Sequence, residues 1–256
     1  MNLTSPHPPF TISHLLSTHH LLPLPSDLAL SPPPTYLLIQ DFLILSCGIL
    51  YALCYLFYAT RTYTDRHLSG TVYYLATTMS YELYYAFVMT TGGVERAGFL
   101  VWFCMDVAFA SVAIAWAYQE QRKWGVVVRL AMGVVGGVGV FWGLGKVWPS
   151  EREQLTAYWT GIALQLPISV GHVVLLIRER STKGQSVEMW ITRYLGCYTA
   201  YGVFWWRWLN VPENWGYVGS FWSWFIIGVT LAAETVWPFV YVWVHWEERR
   251  GKVKKA

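Results

Sequence analysis

Residues 71–90 read TVYYLATTMSYELYYAFVMT, an apolar stretch with a single acid, Glu82, near its middle. A transmembrane helix needs about 20 mostly apolar residues, and this stretch meets that length. Six further stretches qualify on the same count, approximately 37–60, 98–118, 124–146, 156–178, 190–210 and 221–246. Composition agrees with them. The chain is 55% hydrophobic and only 13% charged, whereas a soluble domain carries about 25% charged residues. The expected fold is all-α: a polytopic membrane protein built as a seven-transmembrane helix bundle.

The rest of the chain is organised around those stretches. Residues 1–35 hold eight of the twelve prolines and no Lys or Arg. Without a basic n-region they do not read as a signal peptide, and we expect a disordered or surface-lying Pro-rich extension. Residues 36–248 form the membrane domain, and 249–256 a basic tail. Lys and Arg divide 14 to 4 between the two faces, counting Arg193 and Arg207 at the faces toward which they would snorkel. The side opposite the N-terminus is the richer one. The positive-inside rule therefore predicts a lumenal N-terminus and a cytosolic C-terminus. The terminal Lys252-Val253-Lys254-Lys255-Ala256 has the form of a di-lysine address for the endoplasmic reticulum, or of a basic cluster against anionic lipid. The loops are too short for a soluble domain, so chemistry is confined to the bundle and its mouths.

Three acids lie inside spans: Glu82, Asp106 and Glu234. An ionised carboxylate at the bilayer centre costs roughly 2.5–3.5 kcal/mol or more. Counted from the span ends, all three sit near the midplane. Spans two, three and seven are expected to gather them around one cavity, unless each is a separate tether between helices. Pro238 removes the amide that would bond the Glu234 carbonyl, so that carbonyl needs another partner. A carboxyl held in an apolar place tends to stay protonated and can act as an acid.

Aromatic residues are dense around these acids. Tyr81 and Tyr85 flank Glu82, Trp102 precedes Asp106, and Trp237 follows Glu234. All four, with Asp106, are candidate lining of a site, where aromatic faces stabilise cations by roughly 0.5–2 kcal/mol each. Other tryptophans suit an interfacial belt. The Gly-rich fourth span, with Gly133, Gly136, Gly137, Gly139, Gly143 and Gly145, is expected to pack closely against neighbours.

Several classes drop out. Cys47, Cys54, Cys104 and Cys197 all fall in apolar stretches and read as small buried hydrophobes. No zinc, nucleotide or aspartate-rich metal motif occurs, so neither a metal nor another cofactor is expected. His172 reads as a satisfied core residue. No Lys lies between Lys183 and Lys252, which excludes a retinal Schiff base in span seven. There is no basic stripe for nucleic acid, and no obligate protein partner is indicated.

Three segments together carry a resemblance. They are SYELYYAF at 80–87, RSTKGQS at 180–186 followed by WITRYLG at 190–196, and the acid Glu234 in the last span. From about residue 37 onward the chain resembles the small seven-span fungal terpene cyclases of indole-diterpene and meroterpenoid pathways, such as those leading to paxilline and pyripyropene. The resemblance implies Glu82 and Glu234 as catalytic acids, although the second position is Asp in that family. It implies a hydrophobic epoxidised prenyl-aryl substrate, and cyclisation started by protonation without a metal, an isomerase or lyase type of reaction. A cyclase that protonates an alkene directly remains an alternative, as does a seven-span receptor or transporter.

Overall fold

The computed structural model describes residues 20–90, 92–148 and 154–253, with side chains through Arg250. Residues 1–19 of the Pro-rich extension and Lys254 and Lys255 of the tail lie outside the described residues. Among those described, the chain is helical without strands. The elements are α1 (Pro25–Leu28), α2 (Tyr36–Asp65), α3 (Val72–Tyr84), α4 (Gly93–Trp116), α5 (Glu120–Val147), α6 (Leu155–Glu179), α7 (Val187–Asn210), α8 (Pro212–Trp215) and α9 (Phe221–Val253). A π-helical turn, Tyr85–Met89, extends α3. Five helices are long and apolar enough to cross a membrane: α2, α4, α5, α6 and α9. The two other long segments, α3 with its π turn and α7, are the two most enclosed, and they carry the polar side chains that lower their hydropathy.

Helices pair as neighbours in the bundle. α2 packs on α7, α6 on α9, and α3 on α4 and α5. Caps mark where the central helices begin. The Thr71 hydroxyl accepts the Tyr74 amide at 3.3 Å and starts α3. The Ser186 hydroxyl accepts the Met189 amide at 3.3 Å and starts α7. In the Gly-rich α5, a Cβ at Gly133 would stand 2.7 Å from the Ala76 Cβ, and one at Gly137 would collide with Ser80. The expected close packing is therefore made against α3, and Gly136, Gly139 and Gly143 have no part in it.

The RSTKGQS segment is a stitch between three helices. Ser181 and Thr182 donate their hydroxyls to Glu248 of α9, each at 2.8 Å. The Gly184 amide donates to Asp65 at the end of α2 at 2.8 Å. Gly184 has φ +74, and a Cβ there would come within 2.9 Å of the His67 carbonyl oxygen, so both conformation and space call for glycine. The Gln185 carbonyl accepts from Arg61, and its side-chain oxygen accepts from Trp237 Nε1 at 2.8 Å.

One expectation gains detail here and another is corrected. The described part of the N-terminal extension is docked on the bundle. Asp27 is 1% exposed and accepts from Tyr36, Asn214 and Trp215; five residues earlier, the Leu22 carbonyl accepts from Gln40. Arg193 and Arg207 do not snorkel, because each finds its hydrogen-bond partners inside the bundle.

Candidate active site

A cavity of about 580 Å³ runs through the bundle between α2, α3, α4, α6 and α7. Its volume falls in the range of roughly 300–1,000 Å³ usual for small-molecule sites. Its lining is chiefly apolar and aromatic, with Tyr51, Tyr55, Tyr81, Phe99, Trp102 and Phe204 among it. Glu82 stands on its wall, 5% exposed. The side chain is aimed from the last turn of α3, directly before the π turn, in which Thr90 reaches back to the Tyr85 carbonyl. Such turns cluster at functional positions in helices.

The Glu82 carboxyl has two neighbours. The Tyr55 hydroxyl donates to Oε1 at 3.2 Å. Asp106 of α4 is the second, in side-chain contact with Glu82. Asp106 is itself held by the Thr78 hydroxyl at 2.5 Å, one turn before Glu82 on the same helix. Glu82 Oε2 is buried and receives no hydrogen bond. An acid pair thus sits on the wall of an apolar chamber.

Behind the pair lies a smaller chamber of about 90 Å³. Asp106, Thr78 and Tyr55 border it, together with Tyr58, His172, Arg193 and the loop residues Ser69 and Thr71. His172 Nδ1 is 2.7 Å from the Ile168 carbonyl, which fixes its proton there. Nε2 therefore accepts from the Tyr58 hydroxyl at 3.1 Å, and that hydroxyl accepts from Arg193 Nη1 at 2.8 Å. His172 is thus a satisfied core histidine, as its sequence context indicates.

Glu234 is elsewhere. Its two oxygens accept from Arg193 Nε and Nη2 at 2.8 and 2.9 Å, a bidentate pair with side chains 0% and 2% exposed. Glu234 lines neither chamber. The carbonyl freed by Pro238 accepts the Trp190 indole N–H at 2.8 Å. The single cavity expected for Glu82, Asp106 and Glu234 therefore divides. The structure joins the first two and assigns the third to a guanidinium. The sequence signal for that guanidinium was Arg193 itself, an arginine inside an otherwise apolar stretch.

The aromatic candidates divide as well. Tyr81 and Trp102 line the large cavity, and Tyr81 donates to the Ala157 carbonyl at 3.1 Å. Tyr85 instead packs between Tyr84 and Phe141, with its hydroxyl 3.2 Å from Thr160. Trp237 is fully buried between Trp190 and Tyr241, stacked at 5.8 and 4.8 Å, and lines neither chamber. Sequence reasoning missed Tyr55 and Thr78, which lack the charge that draws attention to an acid. Among the described residues no group of three or more His, Cys, Asp or Glu is placed to hold a metal ion.

The chain matches the model of a family described as Pyr4-like transmembrane terpene cyclases over residues 26–247. Its curated relatives include the Pyr4-family terpene cyclase mfmH of Annulohypoxylon moriforme, 26% identical over 243 residues, covering 92% of this chain and 99% of that one. Terpene cyclase macJ of Penicillium terrestre is 25% identical over 208 residues, 79% of this chain and 81% of that one. Terpene cyclase cdmG of Talaromyces verruculosus is 25% identical over 232 residues, 88% of this chain and 97% of that one. No solved structure gives a significant match.

Proposed function

The chain belongs to the Pyr4-like transmembrane terpene cyclases, and we propose that it cyclises a prenylated aromatic substrate bearing a terminal epoxide, with Glu82 as the acid. The observation that carries this reading is the Glu82–Asp106 pair on the wall of an apolar, aromatic cavity. Two carboxyls in contact within an apolar wall repel as anions, so the pair retains a proton between them. Glu82 gives that proton to the epoxide oxygen. The C–O bond at the more substituted carbon breaks, its electron pair stays on oxygen, and a tertiary cation is left. A chain double bond supplies the electrons for the first C–C bond, and the cation moves along the folded chain. Loss of a C–H proton to a base ends the sequence. The product is an isomer of the substrate, with no redox change and no leaving group. The apolar walls keep water from the cation, and Tyr81, Phe99 and Trp102 offer it aromatic faces.

Around that chemistry the protein spans the bilayer seven times. α3 with its π turn and α7 complete the count, their polar side chains turned inward as intramembrane polar groups generally are. The Lys/Arg bias puts the N-terminus in the lumen and the tail in the cytosol, and the tail sequence favours the endoplasmic reticulum. Glu234 supports the site through Arg193, which borders Asp106's chamber.

Microsomes carrying the protein, incubated with epoxyfarnesyl- and epoxygeranylgeranyl-arenes, test the reading. A product of unchanged mass with new rings by NMR is expected. Recovery of intact epoxide, or of its diol alone, would refute it.

A further inference from the structure

The large cavity has a second polar pole. Arg207 in the last turn of α7 lines it, as do Gln154 and Glu95. On α2, Gln40 contacts Arg207 and Tyr55 contacts Glu82. Those two positions are 15 residues apart, about 22 Å of helix rise. The cavity is therefore elongated, with an acid at one pole and a guanidinium at the other.

Arg207 is 1% exposed, yet no carboxylate of the described residues forms an ion pair with it. Nε donates to Gln40 Oε1 at 2.9 Å and Nη1 to Gln154 Oε1 at 2.7 Å, both neutral amides. The guanidinium carbon lies 4.6 Å from the centre of the Trp215 ring and 5.7 Å from that of Phe204. The nearest acids are engaged otherwise. Asp27 accepts from Tyr36, Asn214 and Trp215, and Glu95 accepts from Gln154 at 2.7 Å. Buried charges are ordinarily paired, as Arg193 is with Glu234 in the same helix. A planar fork on a cavity wall, fixed by two amides and an indole, is preorganised to meet an oxygen anion.

We propose that the Arg207 pole is the head-group subsite of the cavity, and that it takes an anionic oxygen on the aromatic end of the substrate, a carboxylate or an acidic ring hydroxyl. The inference rests on the reading of the cavity as the cyclisation chamber. It adds what sets the direction of entry: the ring binds at Arg207, and the prenyl chain runs toward Glu82. Charge recognition at one pole then fixes which end of the chain meets the acid.

The test uses a prenyl-arene whose terminal double bond is saturated, so that it cannot react, prepared as the free ring acid and as its methyl ester. Equilibrium binding is measured on the purified full-length protein in detergent. The free acid is expected to bind about 10–100-fold tighter than the ester, as for a charge-assisted hydrogen bond. Arg207→Met is expected to abolish that preference and Arg207→Lys to keep part of it. The wild-type comparison stands without either variant, should they fold poorly. Equal binding of acid and ester to wild type, no binding of either, or an unchanged preference in Arg207→Met would overturn the proposal. A merely structural Arg207 predicts equal binding of acid and ester to wild type. Acid preference without epoxide cyclisation would remove Glu82's chemistry and leave the subsite standing. Cyclisation without acid preference would do the reverse.

Discussion

Glu82 and Glu234 are both buried carboxylates, yet their surroundings are opposite. Glu82 faces a second acid and a phenol on the wall of a cavity. Glu234 faces a guanidinium that takes both its oxygens, in a packed interior with no exposed surface. On the proposed mechanism, the first arrangement holds the proton that is donated. In the second, both oxygens are engaged by the guanidinium and neither lines a chamber. Burial alone is therefore a poor guide to role. On the proposed mechanism, the partner decides whether a buried acid is reactive or structural.

The sharpest way to break this contrast is to neutralise each acid in turn. Glu82→Gln keeps shape and the Tyr55 contact but carries no acidic proton. Turnover per folded molecule is expected to fall by roughly 10²–10⁴-fold, the range for general acid catalysis, with insertion and thermal stability close to wild type. Near-normal rates in that variant would end Glu82's part in the mechanism. Glu234→Gln is expected to act on stability. Removing one partner of a buried ion pair costs about 3–5 kcal/mol, which a thermal unfolding scan in detergent would read. Replacing both partners by apolar residues, as in Glu234→Met with Arg193→Leu, is expected to restore much of that loss. If Glu234→Gln is stable but inactive, Glu234 belongs with the chemistry after all.

Asp106→Asn comes next in size. Asparagine keeps an acceptor for the Thr78 hydroxyl but removes the second acid from the pair. Glu82 then lacks the neighbour that holds the proton, and turnover is expected to drop by about tenfold to 10²-fold, at or below the lower end of the same range. A loss as large as that of Glu82→Gln would make Asp106 the donor and Glu82 its support. The ratio of the two losses, measured on protein normalised for folding, separates those roles.

Much of this was legible in the sequence, for reasons that particular residues make plain. Glu82 and Asp106 stood out because charge is costly in lipid, and that cost is the same whatever the fold. Which acid pairs with which was not legible, because pairing depends on how helices rotate about their axes. Hydropathy does not fix that rotation when every face is apolar. Arg193 and Arg207 illustrate the point. A long basic side chain near a span end ordinarily reaches the interface, and only the positions of Glu234, Gln40 and Gln154 on other helices reveal that both turn inward. The same ambiguity hid the docking of Asp27, whose partners Asn214 and Trp215 lie far along the chain. α3 and α7 teach the converse. They carry Glu82, Arg193 and Arg207, buried polar groups that lower their hydropathy, so two helices that bring polar side chains into the bundle give the weakest membrane signal.

The smallest effect is expected on the cavity wall away from the acids. Trp102 lines the chamber and meets Phe99 edge-on, with ring centres 5.8 Å apart. If the cation migrates past this wall, the indole face stabilises one stage of the cascade by roughly 0.5–2 kcal/mol. Trp102→Leu keeps the wall apolar and removes that face. At about 1.36 kcal/mol per tenfold, the rate is expected to fall from a few-fold to about thirtyfold. A larger change is expected in the products, because a cation that loses its stabilising face sheds a proton early. Products with fewer rings should appear beside the normal one, and their share should be independent of substrate concentration. A rate loss with no change in product ratio would mean that Trp102 shapes binding and does not meet the cation. Trp237→Leu is the internal control. That indole is buried against Trp190 and Gln185 and lines neither chamber, so its loss is expected to lower stability and leave the product ratio untouched. Altered ring patterns from both variants would show that the two regions are not separate, and the contrast between the reactive acid pair and the packed ion pair would have to be redrawn.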